Sequence, residues 1–305
     1  MEPFRVHVLG CGSALPTLKH FSSAQVVEVR GKFFMVDCGE GTQIQLRRSG
    51  INFNKLIAVF ITHLHGDHCF GLIGMISTFG LLGRTAPLHV YAHEALRPML
   101  ESQMEMFCFS LGYEVVFHPI DTSSKNIVYS DRSVSVETIP LNHRMPCCGF
   151  VFREKEGMPH IRREMIDFYK IPLSQIQNIK LGADWTTDDG EHVPNSRLTI
   201  PADSPRSYAY ISDTAYMDRL HEHLRGVNLL YHESTYASDN VENARKYNHS
   251  TAAEAAMVAR DACVGQLMLG HYSSRYTDEK VLLDEAQKIF KNTILSDENL
   301  VVDVK

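Results

Sequence analysis

The sequence predicts an α/β protein of two packed mixed sheets with helices on the outside. Candidate strands come in runs that single helices interrupt, a pattern typical of sheets stacked between helices. The 305 residues, 44% of them hydrophobic, are enough to bury a large core. Length alone would also allow two domains, but no linker, internal repeat or low-complexity tract divides the chain. We therefore expect one domain.

Strands are predicted where apolar residues alternate or run together between turn residues. They cover 5–9, 24–28, 32–36, 56–62, 88–92, 114–118, 133–139, 149–153, 207–212, 227–232, 266–270 and 300–304. Helices are predicted where apolar residues recur at helical spacing, often behind a capping residue. They cover 42–49, 67–82, 94–104, 215–224, 251–263 and 278–290, and Ser250 or Thr251 is expected to cap the fifth.

The stretch from His63 to His68 reads His-Leu-His-Gly-Asp-His and follows directly on the apolar strand 56–62. Imidazole and carboxylate groups suit zinc and similar divalent ions. In a strand-like segment His63, His65 and Asp67 point to one side and His68 elsewhere. One ion cannot easily take all four from so short a loop. The spacing favours two ions, one bound by His63 and His65 and the other by Asp67 and His68. The alternative is a polar loop with surface histidines.

A two-metal site predicts a hydrolase. Two ions roughly 3.5–4 Å apart hold a bridging hydroxide and stabilise the attacking and leaving oxygens. Further candidate ligands are His143, Asp213 and His271, each just after an apolar strand, where sites on layered α/β folds gather. Taken singly they have ordinary explanations, because an Asp at a strand end often forms a turn and a lone His is often a surface or core residue.

Together these motifs resemble the metallo-β-lactamase superfamily and, within it, the short form of the ribonuclease Z family. The resemblance begins at residues 8–17 and extends to residues 270–276. It implies the αββα four-layer sandwich of the superfamily and a zinc-dependent endoribonuclease that cleaves the 3′ trailer from precursor tRNA, leaving a 3′-hydroxyl. The alternative is a phosphodiesterase or arylsulfatase-like hydrolase of small esters. A noncatalytic zinc-stabilised module is disfavoured, because structural zinc sites are closed and rarely need two ions.

The resemblance also implies roles for single residues. His63, His65 and His143 would hold one zinc, Asp67, His68 and His271 the other, and Asp213 would bridge them. Asp37 would orient a ligand from behind, and Asp67 could also orient the hydroxide. Glu233 would orient His249, which would protonate the departing ribose oxygen; a His held by a carboxylate can supply a proton near neutral pH. Ser13, Thr42 and Arg275 would contact the substrate.

The formal net charge of −6 argues against a generic nucleic-acid binder, whose basic surface would dominate affinity. The segment 153–180, however, holds six basic and four acidic side chains. It opens a region, about 153–201, where ribonuclease Z carries a protruding arm that grips tRNA, so a tRNA-binding arm is expected there. The Gly-Pro motif usual in the bacterial arm is replaced by Ile171 and Pro172. A solvated mixed-charge excursion without a ligand is the alternative.

The compartment and assembly can also be predicted. The chain does not open on a basic stretch followed by an apolar core, and no apolar run reaches membrane-spanning length, so a cytoplasmic protein is expected. Seven cysteines without CxxC spacing make a disulfide framework or a structural zinc knuckle improbable. The resemblance implies a homodimer, and Met99, Met104 and Met106 are expected to lie in the core or at a subunit contact.

Overall fold

The structure, a computed structural model, describes residues 2–305. Contacts divide these residues into a compact unit formed by 154–205 and a larger unit formed by 2–153 with 206–305. In chain order the strands are β1 (Phe4–Gly10), β2 (Ala24–Val29), β3 (Lys32–Val36), β4 (Leu56–Phe60), β5 (Leu88–Ala92), β6 (Val115–Pro119), β7 (Ile127–Ser130), β8 (Val134–Leu141), β9 (Cys147–Glu154), β10 (His160–Ile161), β11 (Trp185–Thr186), β12 (His192–Val193), β13 (Thr199–Ile200), β14 (Ser207–Ile211), β15 (Leu229–Glu233), β16 (Gln266–Gly270), β17 (Thr293–Leu295) and β18 (Val301–Asp303).

The helices are mostly short. They are α1 (Thr42–Arg48), α2 (Gly66–Cys69), α3 (Leu72–Leu81), α4 (Arg97–Phe107), α5 (Arg163–Phe168), α6 (Ile176–Lys180), α7 (Asn195–Leu198), α8 (Leu220–His223), α9 (Val241–Tyr247), α10 (Ala252–Asp261) and α11 (Lys280–Gln287), with 3-10 turns at Phe53–Lys55, Glu94–Leu96, Leu173–Gln175 and Ser238–Asn240. None of the helices in residues 2–305 combines the length and the apolar character needed to cross a membrane.

Two seven-stranded mixed sheets make up the larger unit. The first has the order β18-β1-β2-β3-β4-β5-β6 and the second β17-β16-β15-β14-β9-β8-β7. Strands β3 to β6 run parallel, and so do β14 to β17, with Tyr210 beside Tyr231 in the second sheet. Parallel strands bring their carboxyl ends to one edge, so the loops after them gather there. The predicted pair of mixed sheets is confirmed.

The sheets pack through an aromatic core. The ring centroids of Phe34 and Phe60, from the first sheet, lie 5.9 and 5.7 Å from that of Phe152 in the second. Because successive strand residues point to opposite faces, Met35 and Val59 belong to a separate cluster on the outer face of the first sheet, which α1, α3 and α4 cover. Helices α10 and α11 pack beside β16 and β17. The predicted four-layer arrangement is therefore observed.

The unit formed by 154–205 has a core of its own. Strands β10 and β13 pair antiparallel, as do β11 and β12. Its buried apolar side chains are Tyr169, Ile171, Ile179, Val193 and Leu198.

Several predicted elements differ from the structure. The prediction of one helix over 67–82 is wrong, because the chain breaks into α2 and α3 where Gly71 packs on the backbone of Gly39. A Cβ at Gly71 would lie 2.0 Å from the carbonyl oxygen of Gly39. The helix predicted over 215–224 shrinks to α8, since the backbone N–H of Ala215 donates to Asn142 instead. The other predicted helices and the strands are recovered with shifts of a few residues at their ends.

Strands β7 and β17, the strands and helices of 154–205, and α9 were not predicted, because their apolar stretches are too short to show a period. Thr251, one of the two predicted caps, begins α10: its hydroxyl accepts from the backbone N–H of Glu254, whose carboxylate accepts in return. All seven cysteines are free thiols, and Cys147 and Cys148 are buried in β9.

Candidate active site

The predicted metal ligands meet at one edge of the two sheets, within the larger unit. His63 and His65 lie on the loop after β4, and α2 turns the chain back so that Asp67 and His68 face the same place. The remaining three follow β8, β14 and β16; they are His143, Asp213 and His271.

A glycine makes this close packing possible. A Cβ on Gly39 would lie 2.3 Å from the backbone oxygen of Asp67, so no larger residue fits against the ligand loop there. The backbone N–H of Cys38 donates to the carbonyl of His68 at 2.8 Å, which ties the loop after β3 to α2.

One group of ligand atoms contains three histidines and one carboxylate oxygen. His63 Nε2 lies 3.0 Å from His65 Nδ1, which lies 3.3 Å from His143 Nε2. Asp213 Oδ2 lies 3.6 Å from His63 Nε2 and 3.8 Å from His143 Nε2. These four atoms face a common centre.

The other oxygen of Asp213 belongs to a second group. Asp213 Oδ1 lies 3.4 Å from His68 Nε2 and 3.2 Å from His271 Nε2. Asp67 Oδ2 lies 3.2 and 3.3 Å from the same two nitrogens. The structure thus brings all seven predicted ligands together in two adjacent groups, with Asp213 common to both.

The donor geometry fits divalent cations. Ligand atoms bound at 2.0–2.1 Å in a tetrahedron are about 3.3 Å apart, close to the separations in both groups. His68 Nε2 is buried and makes no hydrogen bond within residues 2–305, although two carboxylates flank it. The buried carboxylates Asp37, Asp67 and Asp213 have histidines as their ion-pair partners in that part of the chain. A buried cluster so rich in carboxylates needs positive charge.

Protonation states suit metal binding at the first group. Burial lowers the pKa of His63, His65 and His143, so each imidazole keeps a free lone pair. Burial alone would raise the pKa of Asp213, but the charges of the surrounding histidines outweigh it and hold that pKa well below its ordinary range. Asp213 is therefore an ionised carboxylate.

Buried partners fix the orientation of the rings. Asp37 accepts from His68 Nδ1 at 2.7 Å, from the backbone and hydroxyl of Thr62 at 2.9 Å each, and from the Tyr210 hydroxyl at 3.1 Å. His143 Nδ1 donates to the carbonyl oxygen of Asn248 at 2.9 Å. Such backing keeps the opposite nitrogen aimed at the centre of the group.

Three residues at the site, Asp37, Asn248 and His271, have left-handed backbones. Asp37 has φ 57° and His271 φ 60°, each directly after a parallel strand. Residues other than glycine seldom adopt this region, and it costs about 1–3 kcal/mol each when they do. Conformations of this kind concentrate at functional sites.

His249 and Glu233 form a buried pair beside the two groups. His249 Nδ1 lies 2.9 Å from Glu233 Oε1, which also accepts from the backbone N–H groups of Thr214 and Ser250 at 3.0 Å each. Glu233 Oε2 accepts from the backbone and the hydroxyl of Thr235 at 3.0 and 2.6 Å. Burial lowers the pKa of His249, but the charge and hydrogen bond of Glu233 outweigh it and raise the pKa to about 9.

A cavity of about 310 Å³ opens over these groups. Its lining includes the predicted residues Ser13, His65, Asp67, His143, Asp213, His249 and His271, together with Ala14, Leu15, Arg144, Thr235, Tyr236, Tyr247, Ser273 and Ser274. Thr42 and Arg275 are outside that lining. Thr42 is buried, and its hydroxyl donates to the carbonyl of Gly39 at 2.7 Å. Arg275 is exposed, with its guanidinium 5.7 Å from the ring centroid of Tyr236.

Two threonines with structural roles at the site were missed. The Thr62 hydroxyl contacts Asp37 and lies 3.0 Å from His63 Nδ1. The Thr235 hydroxyl lies 2.9 Å from His271 Nδ1 besides contacting Glu233. Both threonines follow a buried strand. Thr62 directly precedes His63 and Thr235 comes two residues after Glu233, and this nearness in the sequence is the signal that could have identified them.

Comparisons with known proteins agree with the geometry. The family described as "Anti-Pycsar protein Apyc1" matches residues 4–159. The chain is 53% identical over 304 residues to the ribonuclease Z of Bacteroides fragilis (strain YCH46), and 48% identical over 304 residues to that of Porphyromonas gingivalis (strain ATCC 33277), with 100% of both chains covered in each case. Its fold is similar to the crystal structure of human tRNase Z, short form, with TM-score 0.71, 23% identity and 99% of both chains covered. A metallo-β-lactamase fold protein of Bacillus subtilis, YhfI, gives TM-score 0.68 at 18% identity, covering 99% of this chain and 100% of that one.

Proposed function

Because the chain belongs to the ribonuclease Z family, and its residues 4–159 to the family described as Anti-Pycsar protein Apyc1, we propose that it cleaves the 3′ trailer from precursor tRNA. The enzyme is an endoribonuclease, and the cleavage is hydrolysis of one phosphodiester that leaves a 3′-hydroxyl on the tRNA. The observation that supports this most is Asp213, whose two oxygens face separate ligand groups beside the His249–Glu233 pair.

We further propose two zinc ions as the resident cofactor. His63, His65, His143 and Asp213 would hold one, and Asp67, His68, His271 and Asp213 the other. Ions bound there would acidify a water molecule and offset negative charge on the phosphoryl oxygens. Nitrogen and oxygen donors at tetrahedral spacing suit zinc, and Asp37 keeps His68 turned toward the second group.

His249 is proposed to protonate the leaving ribose oxygen. Its Nδ1 is committed to Glu233, so Nε2 is the nitrogen available to a substrate in the cavity. With its pKa near 9, the ring carries a proton at neutral pH. A ribose 3′-oxygen is a poor leaving group, so a positioned acid lowers the barrier to its departure. Asp67 would in addition orient the attacking water.

The activity is tested by comparing a precursor tRNA with a small phosphodiester, bis(4-nitrophenyl) phosphate. We expect one cut at the 3′ side of the tRNA, with kcat/KM far above that for the small ester. Efficient hydrolysis of the small ester without precursor cleavage would instead identify a small-ester phosphodiesterase.

Binding and assembly complete the proposal. Residues 153–201 would form a tRNA-binding arm. In support, the unit formed by 154–205 has its own core and carries exposed basic residues such as Arg163 and Lys170.

The enzyme is proposed to act as a cytoplasmic homodimer. Met104 is partly buried against the outer cluster, whereas Met99 and Met106 are exposed on α4 and available for a subunit contact.

A further inference from the structure

Away from the ligand groups, His20 lies between two glutamates. On the loop between β1 and β2, its Nδ1 is 2.8 Å from Glu298 Oε2 and its Nε2 is 3.2 Å from Glu279 Oε1. Carboxylates accept hydrogen bonds, so both ring nitrogens must carry protons for both bonds to form. Burial lowers the pKa of His20, but the two glutamates outweigh burial and raise it. His20 is therefore a buried imidazolium in an ionic bridge.

The same cluster could by composition hold a cation, since Cys11 Sγ lies 3.3 Å from His20 Nδ1. The distances indicate otherwise. The 2.8 Å between Nδ1 and Glu298 Oε2 is that of a hydrogen bond, shorter than the roughly 3.3 Å between ligands of a tetrahedral ion. Glu298 Oε1 accepts from the backbone N–H of Phe21 at 2.8 Å, so both its oxygens are occupied.

The ionic bridge anchors a loop that walls the active site. Residues 13–22 of this loop contribute Ser13, Ala14 and Leu15 to the cavity over His249. They also contribute Ala14, Pro16 and Ser22 to an adjacent cavity of about 400 Å³, which shares His65 and Asp67 with the first. At the far end of the loop, Lys19 is paired with Glu279 and Phe21 is bound to Glu298.

Ser13 N–H donates to the carbonyl of Tyr272 at 3.1 Å at the start of the loop, and within residues 2–305 the Thr17 hydroxyl bonds only to the backbone of His20. Leu15 is 64% exposed and Leu18 is fully exposed, so neither side chain anchors the loop in the core. Because few apolar contacts mean low local stability, the position of the wall depends on the polar anchors at its ends, and His20 is the centre of the charged one.

We propose that His20 is a positioning residue for RNA: through Glu279 and Glu298 it holds loop 13–22 where precursor RNA binds. The identity of the RNA rests on the proposed function. His20 touches neither the ligand groups nor His249, so it acts on the substrate through the loop. Its removal weakens binding of a long substrate and leaves the chemistry on a small one intact.

The test compares His20→Ala with His7→Ala. His7 is a matched control, because it is a half-buried histidine paired with Glu28 at 3.4 Å, and it lies on β1 away from the loop. For His20→Ala we expect KM for precursor tRNA to rise about tenfold, while kcat stays within about twofold of the wild-type value. The kcat/KM for bis(4-nitrophenyl) phosphate should also stay within about twofold of the wild type, and the metal content should be unchanged. His7→Ala should match the wild type on both substrates. Glu279→Gln, which keeps the shape and removes one charge, should raise KM by a smaller factor and replaces His20→Ala if that variant does not fold.

A second measurement needs no substrate. Lys19 is exposed, and trypsin cuts an exposed site faster when its backbone is mobile. His20→Ala, which frees the loop, should therefore be cut after Lys19 several times faster than the wild type, with sites such as Lys125 unaffected. An unchanged rate of tryptic cleavage after Lys19, or an unchanged KM for precursor tRNA, overturns the proposal. Equal losses of kcat/KM on both substrates also overturn it, because they would show that His20 supports the catalytic groups instead. If the wild type cuts no precursor tRNA, the proposed function fails, and the tryptic rate alone then decides whether His20 anchors the loop.

Discussion

Replacing His249 with alanine tests the proton donor directly. A positioned general acid contributes about 10²–10⁴-fold to a rate, or about 2.7–5.4 kcal/mol of activation free energy. That contribution matters on precursor tRNA, where a ribose oxygen leaves, and little on bis(4-nitrophenyl) phosphate, whose leaving group departs as an anion. We therefore expect kcat to fall by about 10²–10⁴ on precursor tRNA and by less than about tenfold on the aryl ester.

The variant should fold and keep its metals. Without His249, Glu233 still accepts four hydrogen bonds from Thr214, Ser250 and Thr235. The assay is single-turnover cleavage of end-labelled precursor tRNA beside aryl ester hydrolysis, with metal content measured by mass spectrometry. His223→Ala, an exposed histidine on α8, is the control. Equal losses on both substrates with metal intact would refute the role of His249.

The pH profile gives the same prediction a second form. The protonated ring is the active form of an acid, and the pKa of His249 is raised to about 9. The wild-type rate on precursor tRNA should therefore hold at neutral pH and fall as pH rises through about 9. In His249→Ala that fall should disappear.

Three further predictions concern the metals, the arm and the ligand loop. Purified protein should bind about two zinc ions per chain, and Asp213→Ala should reduce both; a stoichiometry near one with full activity would contradict the two-metal site, whereas manganese in place of zinc would not. Shortening 153–201 should raise KM for precursor tRNA and flatten the salt dependence of KM, because phosphate contacts weaken with salt. Aryl ester hydrolysis should stay nearly unchanged. Unchanged kinetics on precursor tRNA at low and high salt would mean that the segment does not bind tRNA. Gly39→Ala should lower metal affinity and cost about 1–3 kcal/mol of unfolding free energy, since its Cβ would meet Asp67, whereas Gly112→Ala, with its nearest atom at 3.4 Å, should match the wild type in thermal melts and metal titrations.

The cluster of candidate ligands could be predicted because its members lie at strand ends. An apolar run such as 56–62 identifies a buried strand, and the polar residue after it must lie at the sheet edge. The same logic found His143, Asp213 and His271, which are distant in sequence. The sequence could not predict which ring nitrogen of each histidine faces the centre of the first group, Nδ1 in His65 and Nε2 in His63. That choice depends on how the rings rotate within the packed cluster.

Tertiary contacts decided what the sequence could not. The break between α2 and α3 depends on Gly71 meeting Gly39, and the loss of helix at 215 depends on Asn142, which lies more than seventy residues away in the chain. Residues 154–205 are held by a small core of short elements, too brief for periodicity to reveal. His20 carried no motif, because its two glutamates lie near the other end of the chain.

The left-handed backbones at Asp37 and His271 show how the site is held in shape by the protein itself. Local preference opposes both conformations, at a cost of about 1–3 kcal/mol each. At Asp37 the opposition is overcome by four hydrogen bonds to a buried carboxylate, each contributing about 1.5–3 kcal/mol. His271 is held in turn through Thr235, which also contacts Glu233. Glu233 and Thr235 therefore orient both His249 and His271, so the proposed acid and one proposed metal ligand are positioned by the same bonds.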